Sequence, residues 1–155
     1  GWVHRDWTNG SQHALEGATR HWKLNANMPE IAACVHTPIL ADAFEWFASR
    51  PARRFDMIIL DPPSLAKRED QRAGAIQAYG KLATNAFNHL KENGVLVAAS
   101  CSAHVSAEEF FEAIRSAARC SRRNARVIET TTHPQDHPAT FKEAHYLKCI
   151  YLRAA

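Results

Sequence analysis

No stretch of the chain approaches the roughly 20 apolar residues that a membrane-spanning helix needs, and the N-terminus lacks the basic-then-apolar layout of a secretion signal. The four cysteines, Cys34, Cys101, Cys120 and Cys149, include no Cys-x-x-Cys pair and are too sparse for a disulfide framework. Together these absences point to a protein of the cytoplasm with free thiols. Nine histidines are present, but none stands in the paired spacing of a zinc or iron site, so no structural metal is expected. Charge of one sign is scarce too. With 19 basic against 16 acidic residues the net charge is +3, an excess that permits a polyanionic partner without demanding one. There is no internal repeat and no low-complexity tract. The six glycines nowhere form a glycine-rich loop after a strand.

What is present is alternation. A length of 155 residues suits one domain with its own core. The opening Trp2 to Trp7 reads as a strand, followed by a turn at Asn9-Gly10-Ser11 and a helix whose apolar face is Ala14, Leu15, Ala18 and Trp22. The pattern repeats with a strand at Ile31 to Val35 and, after Pro38, a helix carrying Phe44, Trp46 and Phe47 towards Pro51. Phe55 to Leu60 is the most apolar run, as expected of a central parallel strand, and Asp61-Pro62-Pro63 ends it because proline cannot donate to a sheet ladder. A helix follows through Ile76, Tyr79, Ala83, Phe87 and Leu90, with Asn93-Gly94 as its stop, and then a strand from Val95 to Ser100. Ser106 and Glu109 form a capping-box signature flanked by Val105 and Phe110, which predicts a helix from there to about Arg119. Two further strands, Ala125 to Thr130 and Tyr146 to Arg153, have no helical pattern between them and should pair antiparallel. The sum is a three-layer α/β fold, its sheet mostly parallel with an antiparallel C-terminal pair.

In such sheets ligands bind beyond the carboxyl ends of the strands. Those ends carry Asp42, Asp61-Pro62-Pro63 and Ser100-Cys101-Ser102. Asp61 is either a turn or capping aspartate or a fixed acceptor able to read an exocyclic amine. Cys101 is either a small buried residue or a nucleophile. Adjacent parallel strands would bring the two to one rim.

The segment Phe55 to Leu65, the Ser100-Cys101-Ser102 triplet and the ending Asp136-His137-Pro138 through Tyr146-Leu147-Lys148 resemble the large-subunit ribosomal RNA cytosine-5 methyltransferase family. The resemblance runs in order along nearly the whole chain, and its cysteine triplet and ending are its most specific parts. It implies a Rossmann-like methyltransferase domain, S-adenosylmethionine as cofactor and ribosomal RNA as substrate. Cys101 would attack carbon 6 of the cytosine, and Asp61 would hydrogen-bond N3 and N4. The resemblance places Asn9, Asp42, Ala43, Asp61 and Pro62 on the cofactor side and Pro63, Ser64, Lys67, Arg68 and His137 on the RNA side. Asp42 could equally cap a helix. Asn9 stands near where the family has an acid for the ribose hydroxyls, and Ser64 where some RNA cytosine-5 methyltransferases carry a second cysteine, which leaves the base for the carbon 5 proton unassigned.

The missing glycine loop implies a partial catalytic domain that starts at the family's second strand. The expected results are an exposed edge beside Phe55 to Leu60, through which two copies could pair, and an isolated chain without activity. Two other readings stay open: an amino-methyltransferase using Asp61-Pro62-Pro63-Ser64, which leaves Cys101 idle, and a non-catalytic domain.

Overall fold

The computed structural model describes residues 4–49, 52–134, 139 and 146–155, with residues 4–7 as backbone only. Two compact units make up the chain, Gly1–Arg50 and Pro51–Ala155.

In the first unit, strand β1 (His4–Asn9) pairs in parallel with β2 (Val35–Leu40), from His4 opposite Val35 to Asn9 opposite Leu40. Between them lie helices α1 (Gln12–Leu24) and α2 (Pro29–Ala32), and α3 (Ala43–Ser49) follows. Ser11 starts α1 by accepting the Ala14 N–H on its hydroxyl at 3.3 Å, which satisfies one of the donors that a helix start leaves open. Leu15 is buried, Trp22 stacks on His36 with ring centroids 4.8 Å apart, and α3 buries Trp46 and Phe47. The strand expected at Ile31 to Val35 is not there. Pro29 sets the first turn of α2, and the Met28 carbonyl accepts the Ile31 and Ala32 N–H groups at 3.0 and 2.9 Å, so this apolar run is helical. The strand lies just beyond it, masked in the sequence by His36, Thr37 and Pro38. Proline is tolerated because β2 has a strand on one side only among the described residues. The helix expected after Pro38, carrying Phe44, Trp46 and Phe47, is α3, which begins at Ala43. The first strand, expected at Trp2 to Trp7, runs on to Asn9, so Asn9 itself closes it.

The second unit is a four-stranded sheet in the order β3-β4-β6-β5, with β3 (Phe55–Leu60), β4 (Leu90–Ser100), β5 (Ala125–Thr131) and β6 (Lys148–Ala154). β3 and β4 are parallel, whereas β6 runs antiparallel to both β4 and β5, giving the antiparallel C-terminal pair that the sequence predicts. Helices α4 (Arg72–His89) and α5 (Ala107–Cys120) pack on it. Leu96, Ala98 and Ser100 alternate along β4 and are all almost fully buried. With Ala83, Ala86 and Phe87 of α4, Phe110 and Ile114 of α5, and Ile150 and Leu152 of β6 they make the core. Truncating Leu96 to alanine there would cost about 2–5 kcal/mol.

The capping box is present as read: the Ser106 hydroxyl accepts the Glu109 N–H at 3.2 Å, and the Glu109 carboxylate accepts the Ser106 N–H at 3.1 Å. Val105 and Phe110 are both buried beside it. Two expectations need correction. α4 stops at His89 and not at Asn93-Gly94, and Leu90 already belongs to β4. Asn93 adopts a left-handed φ of 61°, and a Cβ on Gly94 would stand 3.0 Å from the Lys91 carbonyl oxygen and 3.2 Å from that of Asp56. The Asn-Gly pair therefore makes a tight turn within the strand and does not cap the helix. β3, read from its apolar run as central, is the outermost strand of this four-stranded sheet, which matches the exposed edge expected beside Phe55 to Leu60, with Ile58 buried and Ile59 64% exposed.

Candidate active site

β3 delivers Asp61 and β4 delivers Cys101 to the same carboxyl-end rim, because the strands are parallel with Leu60 opposite Ala98. A cleft of about 250 Å³ opens there, lined by Asp61, Ala99, Ser100, Cys101, Thr132, Leu147, Lys148 and Cys149. It falls just below the ~300–1,000 Å³ typical of pockets for drug-sized ligands. Asp61 is exposed and Cys101 half-buried, so both reach the cleft from the backbone of a stiff strand end. Among the described residues no group of three or more His, Cys, Asp or Glu side chains is gathered that could hold a metal.

The loops that carry this pair are tied together by the hydroxyls of half-buried Ser64 and buried Ser100 and Ser102. Ser64, in the loop after Asp61, and Ser102, in the loop after Cys101, both donate to the Ala66 carbonyl at 3.0 Å. The Ser100 hydroxyl accepts the Ser102 N–H at 3.2 Å and donates to the Tyr79 hydroxyl at 2.9 Å. The Tyr79 ring meets Phe110 edge-on at 5.0 Å, and burial pushes its phenol pKa up, keeping it a neutral partner. Tyr79 is thus both core and anchor.

Lys148, the first residue of β6, is 4% exposed. Its ammonium donates to the carbonyls of Ser102, Val105 (2.6 Å) and Tyr146 (3.2 Å). Burial lowers its pKa, an effect that charge on Cys101 and Glu109 opposes. The His133 ring nitrogen Nε2 accepts the Tyr146 and Leu147 N–H groups at 3.1 and 3.0 Å and so holds the segment entering β6. Cys149 is half-buried, and burial raises its thiol pKa. None of Lys148, Ser102, Thr132 and Cys149 was assigned a role from sequence. One signal was available: a lysine inside the apolar run Tyr146-Leu147-Lys148-Cys149-Ile150 must find buried acceptors.

Of the residues that the sequence resemblance assigns to RNA, Lys67 is exposed with no acidic partner among the described residues, whereas Arg68 is paired with Asp70 at 3.3 Å. Arg72 is held by Glu69 and Glu109. That guanidinium, followed by the capping hydrogen bonds of Ser106, brings the Glu109 carboxyl down to about 2. Pro62 is half-buried and Pro63 exposed, and Ser64 spends its hydroxyl on Ala66. His137 lies outside the described residues.

In the first unit, taken by itself, Asn9 closes β1 and Asp42 follows β2. Asn9 Oδ1 accepts the Ser11 N–H at 2.8 Å, leaving its amide nitrogen as the remaining polar atom. Asp42 Oδ1 accepts the Phe44 and Glu45 N–H groups at 2.8 and 3.2 Å, so it does cap α3, with Oδ2 beyond those bonds. Ala43 is the first residue of α3.

A ribosomal RNA large subunit methyltransferase of Deinococcus radiodurans is 51% identical over 145 residues, which is 92% of this chain and 35% of that protein. The ribosomal RNA large subunit methyltransferase I of Escherichia coli is 33% identical over 142 residues, 89% of this chain and 35% of that protein. The homologues are ribosomal RNA large subunit methyltransferases. The chain spans about a third of their length. No family model matches it. Among solved structures, the SAH complex of SMU.776 superposes with a TM-score of 0.76 at 21% identity, covering 96% of this chain and 38% of that one. The N-methyltransferase NodS of Bradyrhizobium japonicum gives 0.62 at 12%, covering 96% and 72%. These likenesses fix the fold as the α/β, Rossmann-like methyltransferase type.

Proposed function

We propose that the protein carrying this chain is a cytoplasmic, S-adenosylmethionine-dependent enzyme that methylates carbon 5 of a cytosine in ribosomal RNA, with Cys101 as nucleophile. The observation that carries this is the meeting of Cys101 and Asp61 in one cleft. Carbon 5 of cytosine is a weak nucleophile. The Cys101 sulfur would bond to carbon 6, and the electrons of the carbon 5–carbon 6 double bond would shift into the ring, making carbon 5 electron-rich. Asp61 is suited to accept a hydrogen bond from the N4 amine and, as the acid, to donate to N3, and so stabilise the charge that develops. Once carbon 5 carries the methyl, loss of its proton to a base would restore the double bond and expel the Cys101 thiolate.

The cofactor, when bound, supplies an electrophilic methyl on sulfonium sulfur. The polar atoms left over at the first unit's rim, the Asn9 amide nitrogen and Asp42 Oδ2, fit the hydroxyls and exocyclic amine of an adenosine. We assign Asn9, Asp42 and the Ala43 backbone to that end, with Asn9, as a neutral group, holding the ribose less firmly than an acid would. Asp61 and Pro62 are assigned to the methyl-donor side, and Pro63, Ser64, Lys67, Arg68 and His137 to the RNA, with Lys67 the strongest candidate for a phosphate.

The test is Cys101→Ala in the full-length protein, with the methylated nucleoside identified by mass spectrometry. Loss of at least ~1,000-fold in methyl transfer, with 5-methylcytidine as the wild-type product, is the expected result. Full activity in the variant, with the methyl on an exocyclic nitrogen, would instead establish an amino-methyltransferase built on Asp61-Pro62-Pro63-Ser64.

A further inference from the structure

A buried ammonium is expensive, and a methionine or leucine at the start of β6 would pack without that cost. Lys148 nonetheless sits there almost wholly shielded from solvent. All three of its N–H donors are used, each on a backbone carbonyl. Where those carbonyls lie is informative. Ser102 and Val105 stand near the two ends of the loop that starts at Cys101 and finishes at the Ser106 cap of α5. Tyr146 belongs to the segment that enters β6. The Lys148 backbone pairs with Ser100, the last residue of β4 before the thiol. One side chain therefore joins β6 to both ends of the nucleophile loop.

We propose that Lys148 is a positioning residue whose ammonium clamps the Cys101–Val105 loop and thereby sets the place of the thiol at the cleft. The inference rests on Cys101 being the nucleophile. Three carbonyls, those of Ser102 and Val105 buried and that of Tyr146 half-buried, converge on one point. Without a triple donor they repel one another, and the loop opens from β6. An arginine does not replace it, because a planar fork cannot point three donors at three carbonyls around a single atom. The titratable neighbours that act on the ammonium are Cys101 from the end of β4 and Glu109 from α5. Neither is hydrogen-bonded to it, so the clamp is built on carbonyl dipoles.

The experiment compares Lys148→Ala, Lys148→Gln and Cys101→Ala with wild type in the full-length protein, using tritiated S-adenosylmethionine and ribosomal RNA as substrates. Lys148→Ala is expected to lower kcat by at least ~30-fold while KM for both substrates stays within about threefold, the signature of a misplaced reacting group. Added propylammonium should restore several-fold of the lost rate, whereas equal propanol, which fills the same space with fewer donors, should not. If Lys148→Ala fails to fold, Lys148→Gln, with two N–H donors, takes its place and should lose at least ~10-fold in kcat at unchanged KM. The proposal is overturned by an unchanged kcat, by a loss confined to KM, or by equal rescue with propanol, which would mean packing alone. Retained activity in Cys101→Ala would overturn the nucleophile assignment itself, whatever the Lys148 variants do.

Discussion

The Ala66 carbonyl joins the loop after Asp61 to the loop after Cys101, and it offers a quantitative check. Ser64→Ala removes one of its donors and Ser102→Ala the other. In either single variant the remaining hydroxyl still satisfies the oxygen, so each should cost only about 1 kcal/mol, the usual net worth of one hydrogen bond. The double variant differs in kind. Ala66 is 1% exposed, so its carbonyl would then have no donor among the described residues and little access to water. An orphaned buried acceptor costs a further ~1–3 kcal/mol, so the double variant should be destabilised beyond the sum of the singles by that amount. Urea unfolding of the four proteins followed by circular dichroism, at equal m-values, measures this. Additivity within ~0.5 kcal/mol would refute the shared-acceptor reading and show that the loops are held by other means.

Three further outcomes follow from the same structure. Glu109, held at about 2 against an ordinary 4.5, stabilises the fold fully above the ordinary value and loses that contribution as pH falls towards 2. Glu109→Gln should therefore flatten the acid limb of melting temperature against pH across that window, and an unchanged limb would place the acid sensitivity elsewhere. Gly94→Ala puts a Cβ against the Lys91 and Asp56 carbonyls and should destabilise by about 1–3 kcal/mol in the same urea assay. Lys67→Gln should weaken RNA binding evenly across sequences and reduce the slope of log affinity against log salt by about 1, as for one lost phosphate contact. An unaltered slope would remove Lys67 from the RNA side.

The elements that were legible from sequence are those whose signals are local and unopposed. The Ser106–Glu109 capping box states its own geometry, and the apolar run Phe55 to Leu60 closed by two prolines leaves no other reading than a strand. The shared rim of Asp61 and Cys101 followed from putting two parallel strands side by side. The failures have physical causes too. Pro29 turned an apolar run into a helical turn, and Pro38 disguised a strand that among the described residues is paired on one side only. Asn93-Gly94 has the same residue signature in a tight strand turn as at a helix end, because both need a left-handed or crowded backbone. The ties among Ser64, Ala66, Ser102 and Tyr79, and the three carbonyls around Lys148, join residues up to 46 positions apart, where no periodicity reports them.

The central claim is that the Cys101 sulfur bonds to carbon 6 of a cytosine. Full-length protein incubated with S-adenosylmethionine and ribosomal RNA containing 5-fluorocytidine tests it directly, because fluorine cannot leave carbon 5 as a proton does and the enzyme stays attached. The account predicts a denaturation-stable RNA–protein adduct, mapped by peptide mass spectrometry to Cys101 and absent in Cys101→Ala. A protein that methylates unsubstituted RNA yet forms no adduct, or forms it through another cysteine such as Cys149, would contradict it.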